Sequence, residues 1–173
     1  ITHAVPEYSR RKLSQALTED CDCMKTVIQR VRRAAVRVDE QIVGETGAGL
    51  LILVGVGQGD TETEAKWLAE RIAVMRIFPD DDDRFNRSIL EMGGGALVIS
   101  QFTLYGDAVG GRRPSFTKAA PPALAAPLID RFVAFLRQAG IAHVATGIFG
   151  ARMLVEIEND GPVTILLDRE PPR

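Results

Sequence analysis

The first apolar stretches are short and β-branched. Residues 26–31 and 34–38 read as strands, and Asp39-Glu40 reads as a turn into a further strand at Gln41-Ile42-Val43. Residues 49–56 are continuously apolar, as expected of a strand buried on both faces. The pattern then changes to a helical period. Asp60 or Thr61 supplies a cap, Glu62 and Glu64 favour the positive end, and Ala65, Leu68, Ile72 and Met75 repeat at helical spacing. Pro79 and the acidic residues 80–83 follow as a loop. Gly93-Gly94-Gly95 reads as a turn, and the apolar residues 96–99 form a strand that runs directly into Ser100.

A long connection with Gly106, Gly110, Gly111 and Pro114 leads to a second helix starting near Pro122. Leu124, Leu128, Phe132, Phe135 and Leu136 mark its core face, Pro127 sits in its first turns, and Gly140 ends it. Three late strands are predicted. Residues 142–148 form one. Residues 152–158 alternate, with Met153, Val155 and Ile157 on one side and Leu154, Glu156 and Glu158 on the other. Asn159-Asp160-Gly161 is a turn signal, after which residues 163–167 return as the third. Strands at both ends with two helices between them, no repeat and no low-complexity linker predict one α/β domain over residues 24–173. The first 23 residues are polar and aperiodic and read as an appended extension. Within it Arg10-Arg11-Lys12 is a small basic arm or a solvated tail.

Composition narrows the class without naming a function. The chain has 173 residues, 46% of them hydrophobic and 25% charged, with a formal net charge of −2. That balance suits a globular domain and gives no general attraction to nucleic acid or to anionic membranes, although a local basic patch remains compatible with RNA. Cys21 and Cys23 make no disulfide framework, and with His3 and His143 they lack zinc-ligand spacing. No metal is expected, and few cysteines suit a reducing cytoplasm. No apolar run reaches membrane-spanning length, and no signal-peptide core opens the chain.

A familiar catalytic toolkit is missing. His143 is the only histidine after residue 23 and lies in a strand-like segment. No Gly-x-Ser-x-Gly elbow is present, and the core has no cysteine to act as a nucleophile. Gly55-Val56-Gly57-Gln58-Gly59 after a buried strand is open to two readings, a phosphate-binding loop of a dinucleotide-dependent oxidoreductase or a plain strand-to-helix turn. Asp60 stands where the final glycine of the phosphate loop belongs. Residues 80–83 are a cation site or a solvated loop. Ser100-Gln101-Phe102-Thr103 lies where a buried strand emerges, a common place for sites in α/β sheets, yet polar residues there also simply end strands. Gly161-Pro162 suits a strand's first residues, and such a bond is a candidate for the cis form.

Taken together, these residues resemble the bacterial and eukaryotic D-aminoacyl-tRNA deacylase family. Its Ser-Gln-x-Thr motif is matched by Ser100, Gln101, Phe102 and Thr103, and its Asn-x-Gly-Pro-x-Thr motif by Asn159, Asp160, Gly161, Pro162, Val163 and Thr164. Ile28-Gln29-Arg30-Val31, Gly47-Ala48-Gly49-Leu50-Leu51, Arg76-Ile77-Phe78 and Arg113-Pro114-Ser115-Phe116 support the match in order. The resemblance runs from Met24 to about Asp168 and leaves the first 23 residues outside.

The resemblance implies a single-domain deacylase-type fold with a mixed, largely antiparallel, barrel-like sheet and two main helices. It implies a cytoplasmic editing hydrolase that removes D-amino acids, and glycine mischarged on tRNA(Ala), while sparing L-aminoacyl-tRNA. No cofactor, membrane or DNA is expected. It also implies a homodimer in which a cis Gly161-Pro162 reaches the partner's site. Ser100, Gln101, Phe102 and Thr103 would be catalytic. Gly161, Pro162, Asn159, Arg30 and Met153 would bind substrate, with Arg30 holding the Gly-Pro carbonyls. Arg112, Arg113 and Lys118 are the candidate tRNA contacts, against plain solvated surface. Backbone N–H groups at Phe102 and Thr103 would hold the oxyanion, leaving the chemistry to the Thr103 hydroxyl or to the tRNA's own 2′-hydroxyl. A non-catalytic tRNA-binding relative is the other reading of the same motifs.

Overall fold

The computed structural model describes residues 23–169. The expected extension, apart from Cys23, lies outside the described residues, as do residues 170–173. Cys23 is buried, and its carbonyl accepts the Tyr105 hydroxyl at 2.5 Å.

The sheet is organised by one long strand. β1 (Met24–Val38) pairs antiparallel along one edge with β8 (Leu154–Arg169). Its other edge pairs with β3 (Gly49–Gly55) in the first half and β2 (Gln41–Thr46) in the second, both antiparallel. β6 (Gly95–Ser100) then runs parallel to β3, and β7 (Val144–Thr146) parallel to β6. The sheet is therefore mixed, with three antiparallel and two parallel pairings. It curls until β2 meets β7, where a side chain on Gly44 would run into the Thr146 carbonyl oxygen. The result is a nearly closed barrel.

Local sequence explains most elements. The β1–β2 turn has two residues, Asp39 and Glu40, with φ of 48° and 66°. Both lie in the left-handed region that a tight primed hairpin turn demands. α1 (Glu62–Ala73) opens on Thr61, whose side chain accepts from Thr63 N–H at 3.2 Å, while Glu64 accepts the Thr61 N–H at 2.8 Å. β4 (Phe78–Pro79) and β5 (Phe85–Arg87) form a small separate hairpin. α2 (Ile89–Met92) is a single turn between a Ser88/Glu91 capping box and a left-handed Gly93. α3 (Pro122–Gln138) carries Pro122 in its first turn and Pro127 inside it.

Two apolar layers result. α1 and α3 cover one face of the sheet, where Ile28, Leu50, Ile52, Leu68, Ile72, Phe132 and Leu136 are buried. The other face curls around Val31, Ala34, Val36, Leu51, Leu97 and Ile99. β3 and β6 lie between the layers and are buried on both faces, as their unbroken apolar runs predict.

The structure corrects five local expectations. The two runs in 26–38 are one strand, because the polar residues between them face solvent without breaking the ladder. The strand expected over 142–148 is only Val144–Thr146. The first main helix ends at Ala73, before Met75. α2 is additional, although Ser88-Ile89-Leu90-Glu91 spells its capping box. Finally, Asn159-Asp160-Gly161 is no hairpin turn. The chain bulges there and continues as the same strand, and the register against β1 shifts between Gln29 and Arg33.

Candidate functional site

β6 delivers its last residues to one end of the barrel. Gln101 N–H donates to the Val54 carbonyl at 2.7 Å, extending the β3–β6 ladder by one residue. The chain then turns in one 3-10 turn, Phe102–Tyr105. Tyr105 is buried and anchors this turn through its hydroxyl. Gly55 makes room for it, since a Cβ there would stand 3.0 Å from the Tyr105 ring and 3.1 Å from the Gln101 carbonyl. Gly55 thus serves close packing.

Beside the turn opens a cavity of about 590 Å³. Ser100, Gln101 and Phe102 line one side, Ala125 and Ile129 of α3 another, and Met153 a third. Phe116 and Phe149 also line it, and neither is singled out by sequence reasoning as a site residue. Both phenyl rings lie in irregular segments outside the apolar periods; Phe116 ends the supporting motif Arg113-Pro114-Ser115-Phe116, whereas nothing else marks Phe149. Phe102 is 59% exposed and meets Phe116 edge to face, with centroids 5.2 Å apart.

The polar groups here are mostly backbone. Leu104 N–H donates to Gln101 O at 3.2 Å, and Gly106 N–H to Thr103 O at 3.0 Å. The N–H groups of Phe102 and Thr103, at the start of the turn, meet no acceptor among the described residues. The Thr103 hydroxyl accepts from the Gln101 amide. Among the described residues no histidine is near: His143 precedes β7 and lies beside Gly95, at the opposite end of β6, with Nε2 2.8 Å from the Glu45 carbonyl. Turn and cavity together offer two free N–H donors next to an apolar space.

The second motif gathers elsewhere. Asn159 spans the β8 bulge, its Oδ1 accepting Val163 N–H at 2.8 Å and its Nδ2 donating to the Val163 carbonyl at 3.2 Å. Gly161-Pro162 is cis, and Gly161 has φ 138°. A Cβ on Gly161 would stand 2.7 Å from Val163 Cγ2 and 3.2 Å from Arg30 Nη2. Arg30 is buried in β1, donating Nη1–H to the Ile77 carbonyl at 2.7 Å and Nε–H to the Asp160 carbonyl at 3.0 Å. It therefore holds the carbonyl before Gly161, where the resemblance implied the Gly-Pro carbonyls. Arg30 and Arg32 both pair with the Asp160 carboxylate, at 3.4 and 3.3 Å.

Ser100, Gln101, Phe102 and Met153 thus surround one cavity, while Arg30, Asn159, Gly161 and Pro162 form a separate cluster. Met153 directly precedes β8 and Gly161 is its eighth residue, so within one chain they stand on the order of 25 Å apart. Arg112 and Arg113 lie on the exposed loop that carries Phe116 to the cavity, with Lys118 half-buried after it.

Two other candidates are filled by the protein itself. In the Gly55–Gly59 loop the Asp60 carboxylate takes the Gly57 N–H at 2.6 Å, and Glu64 occupies the helix start behind it. A dinucleotide phosphate would compete with both carboxylates. In the acidic loop Asp80 accepts Asp82 N–H at 2.9 Å, Arg84 N–H at 3.0 Å and the Asn86 amide at 3.1 Å. The Arg84 bond in particular holds its carboxyl below the usual value of 3.8. No group of three or more His, Cys, Asp or Glu suited to a metal occurs among the described residues. Nor is any helix there long and apolar enough to cross a membrane.

A family model described as D-Tyr-tRNA(Tyr) deacylase matches residues 27–168. A D-aminoacyl-tRNA deacylase of Roseiflexus sp. (strain RS-1) is 59% identical over 152 residues, covering 86% of this chain and 97% of that protein. One from Desulfitobacterium hafniense (strain DSM 10664 / DCB-2) is 51% identical over 147 residues, covering 85% and 98%. Among solved structures, one described as c-Myc DNA Unwinding Element Binding Protein is 35% identical, with a TM-score of 0.79 over 86% of this chain and 99% of that one. Another, a probable eukaryotic D-amino acid tRNA deacylase, is 20% identical with a TM-score of 0.74 over 85% and 100%, a likeness of fold.

Proposed function

We propose that this chain, which belongs to the D-Tyr-tRNA(Tyr) deacylase family, hydrolyses the ester between a D-amino acid and its tRNA in the cytoplasm. The observation that carries this reading is the pair of free N–H groups at Phe102 and Thr103 beside the aromatic-lined cavity. An aminoacyl ester is already activated, so its hydrolysis needs a placed water and a held oxyanion. Water adds to the carbonyl carbon, the two N–H groups take the developing charge, and the ribose oxygen leaves with a proton. The products are the free D-amino acid and intact tRNA. Among the described residues no base stands beside the Thr103 hydroxyl, whose partner is the Gln101 amide, which favours assistance from the tRNA's own 2′-hydroxyl over attack by threonine. Phe102, Phe116 and Phe149 offer faces and edges against which an unpaired terminal base can stack.

Chirality enters through the second cluster. In this reading Gly161-Pro162 of one subunit reaches the Ser100 cavity of the other, because within one chain the two stand too far apart to share a substrate. The sheet face beside the cavity supports a homodimer. Leu166, 73% exposed, pairs with Val27, and Val27 with Leu53, so an apolar strip crosses three strands with nothing among the described residues over its outer end. Rigid main chain around Gly161 leaves room for hydrogen on one face of the substrate's α-carbon and collides with an L side chain. Glycyl-tRNA has hydrogen on both faces and passes the same filter. Arg112, Arg113 and Lys118 would then touch few phosphates, giving a shallow dependence of binding on salt.

The DNA partner in the description of one similar structure belongs to that protein. Here the net charge of −2 gives no general attraction to a DNA backbone, and a cavity of small-ligand size suits the single-stranded end of a charged tRNA. Deacylation of matched D- and L-tyrosyl-tRNA tests the proposal. Hydrolysis of the D form with the L form spared is expected, and equal hydrolysis of both, or of neither, overturns it.

A further inference from the structure

The β4–β5 hairpin takes no part in the reaction above, yet it touches the second cluster through one ring. Phe85 is 56% exposed and lies with its ring centroid 5.3 Å from Arg30 Cζ. The guanidinium beneath it is nearly buried, with 9% of the side chain exposed. It donates on one side to the Ile77 carbonyl, just before β4, and on the other to the Asp160 carbonyl, just before Gly161. One cation therefore joins the hairpin to the bulge. The hairpin loop is braced from within, since the Asp80 carboxylate accepts from Asp82, Arg84 and Asn86.

We propose that Phe85 is a positioning residue for enantiomer discrimination, acting through Arg30 on the Asp160–Gly161–Pro162 segment. The proposal rests on the reading in which that segment meets the substrate's α-carbon. The ring attracts the guanidinium through its π face and keeps water off it. Water reaching the guanidinium would compete with the two carbonyls for its N–H groups, and the bulge would lose its anchor. Rejection of the L form is a steric clash at a defined distance, so a displacement of about 1 Å relaxes it. Turnover of the D form depends mainly on the oxyanion donors at Phe102 and Thr103, which Arg30 does not hold, and changes less.

The test compares kcat/KM for D- and L-tyrosyl-tRNA in the full chain, wild type against Phe85→Ala, Phe85→Leu and Phe85→Tyr. The D-to-L ratio is expected to fall about tenfold in Phe85→Ala, the size of a partly desolvated cation–π contact. Phe85→Leu, which keeps an apolar cover without the ring, should fall in the same direction, and Phe85→Tyr should keep the wild-type ratio. Should Phe85→Ala fail to fold, Phe85→Leu carries the measurement. An unchanged ratio in the variants that fold overturns the proposal, whatever happens to the absolute rates. Failure of the wild type to discriminate would instead overturn the functional reading beneath it.

Discussion

The Ser100 cavity and the Gly161 bulge are held in place by opposite means. At the cavity, main chain leaving a doubly buried strand sets the geometry. Gln101 continues the ladder to Val54, Tyr105 anchors the turn, and the Phe102 and Thr103 N–H groups are aimed by the backbone alone. At the bulge, side chains hold main chain. Asn159 closes the loop with two bonds to Val163, and Arg30 holds the Asp160 carbonyl. Damage should therefore register differently. The cavity tolerates loss of polar side chains and suffers when its space is filled, whereas the bulge suffers when a side chain is trimmed.

The largest expected effect is on the cavity side. Ala125 lies on α3 and lines the cavity. Ala125→Phe would fill space the substrate needs, and kcat/KM for D-tyrosyl-tRNA should drop about a hundredfold with the melting transition kept. A near-normal rate would mean that substrate does not enter there. Next comes Arg30→Ala, which strips the donor from the Ile77 and Asp160 carbonyls. A loss of about 2–3 kcal/mol in urea unfolding is expected. A loss within a few tenths would show that side chains do not hold the bulge.

Thr103→Ala should cost less than about tenfold in single-turnover rate, because the oxyanion donors are backbone and remain. A drop of several orders of magnitude in a folded variant would restore threonine as the nucleophile and erase the contrast between the regions. The smallest effect concerns acid. The Asp80 carboxyl is held below its ordinary value, so its contribution is present above about pH 4 and fades as pH falls through the lowered folded-state value. Exchange of the Arg84 amide should quicken as acid is added, once corrected for intrinsic rates. In Asp80→Asn this added dependence should vanish.

Much of the fold was legible from local pattern. The buried strand around Leu51, the Thr61 cap, the Pro122 start and the Asp39-Glu40 turn follow from period, capping and turn chemistry, which neighbouring residues set. The site was legible only as two motifs whose residues, taken singly, read as strand ends. Phe116 and Phe149 escaped because irregular segments carry no period to betray where they point.

The sequence by itself determined the kind of each main element, and that two polar motifs stand beside strands, because side-chain period and capping act over a few residues. Tertiary structure alone decided that residues 154–169 are one bulged strand, since β1 imposes a register that overrides the local turn signal of Asn159-Asp160-Gly161. It alone separated the two motifs within the chain and put Arg30 under Phe85, because strand order and packing join residues that no local pattern connects.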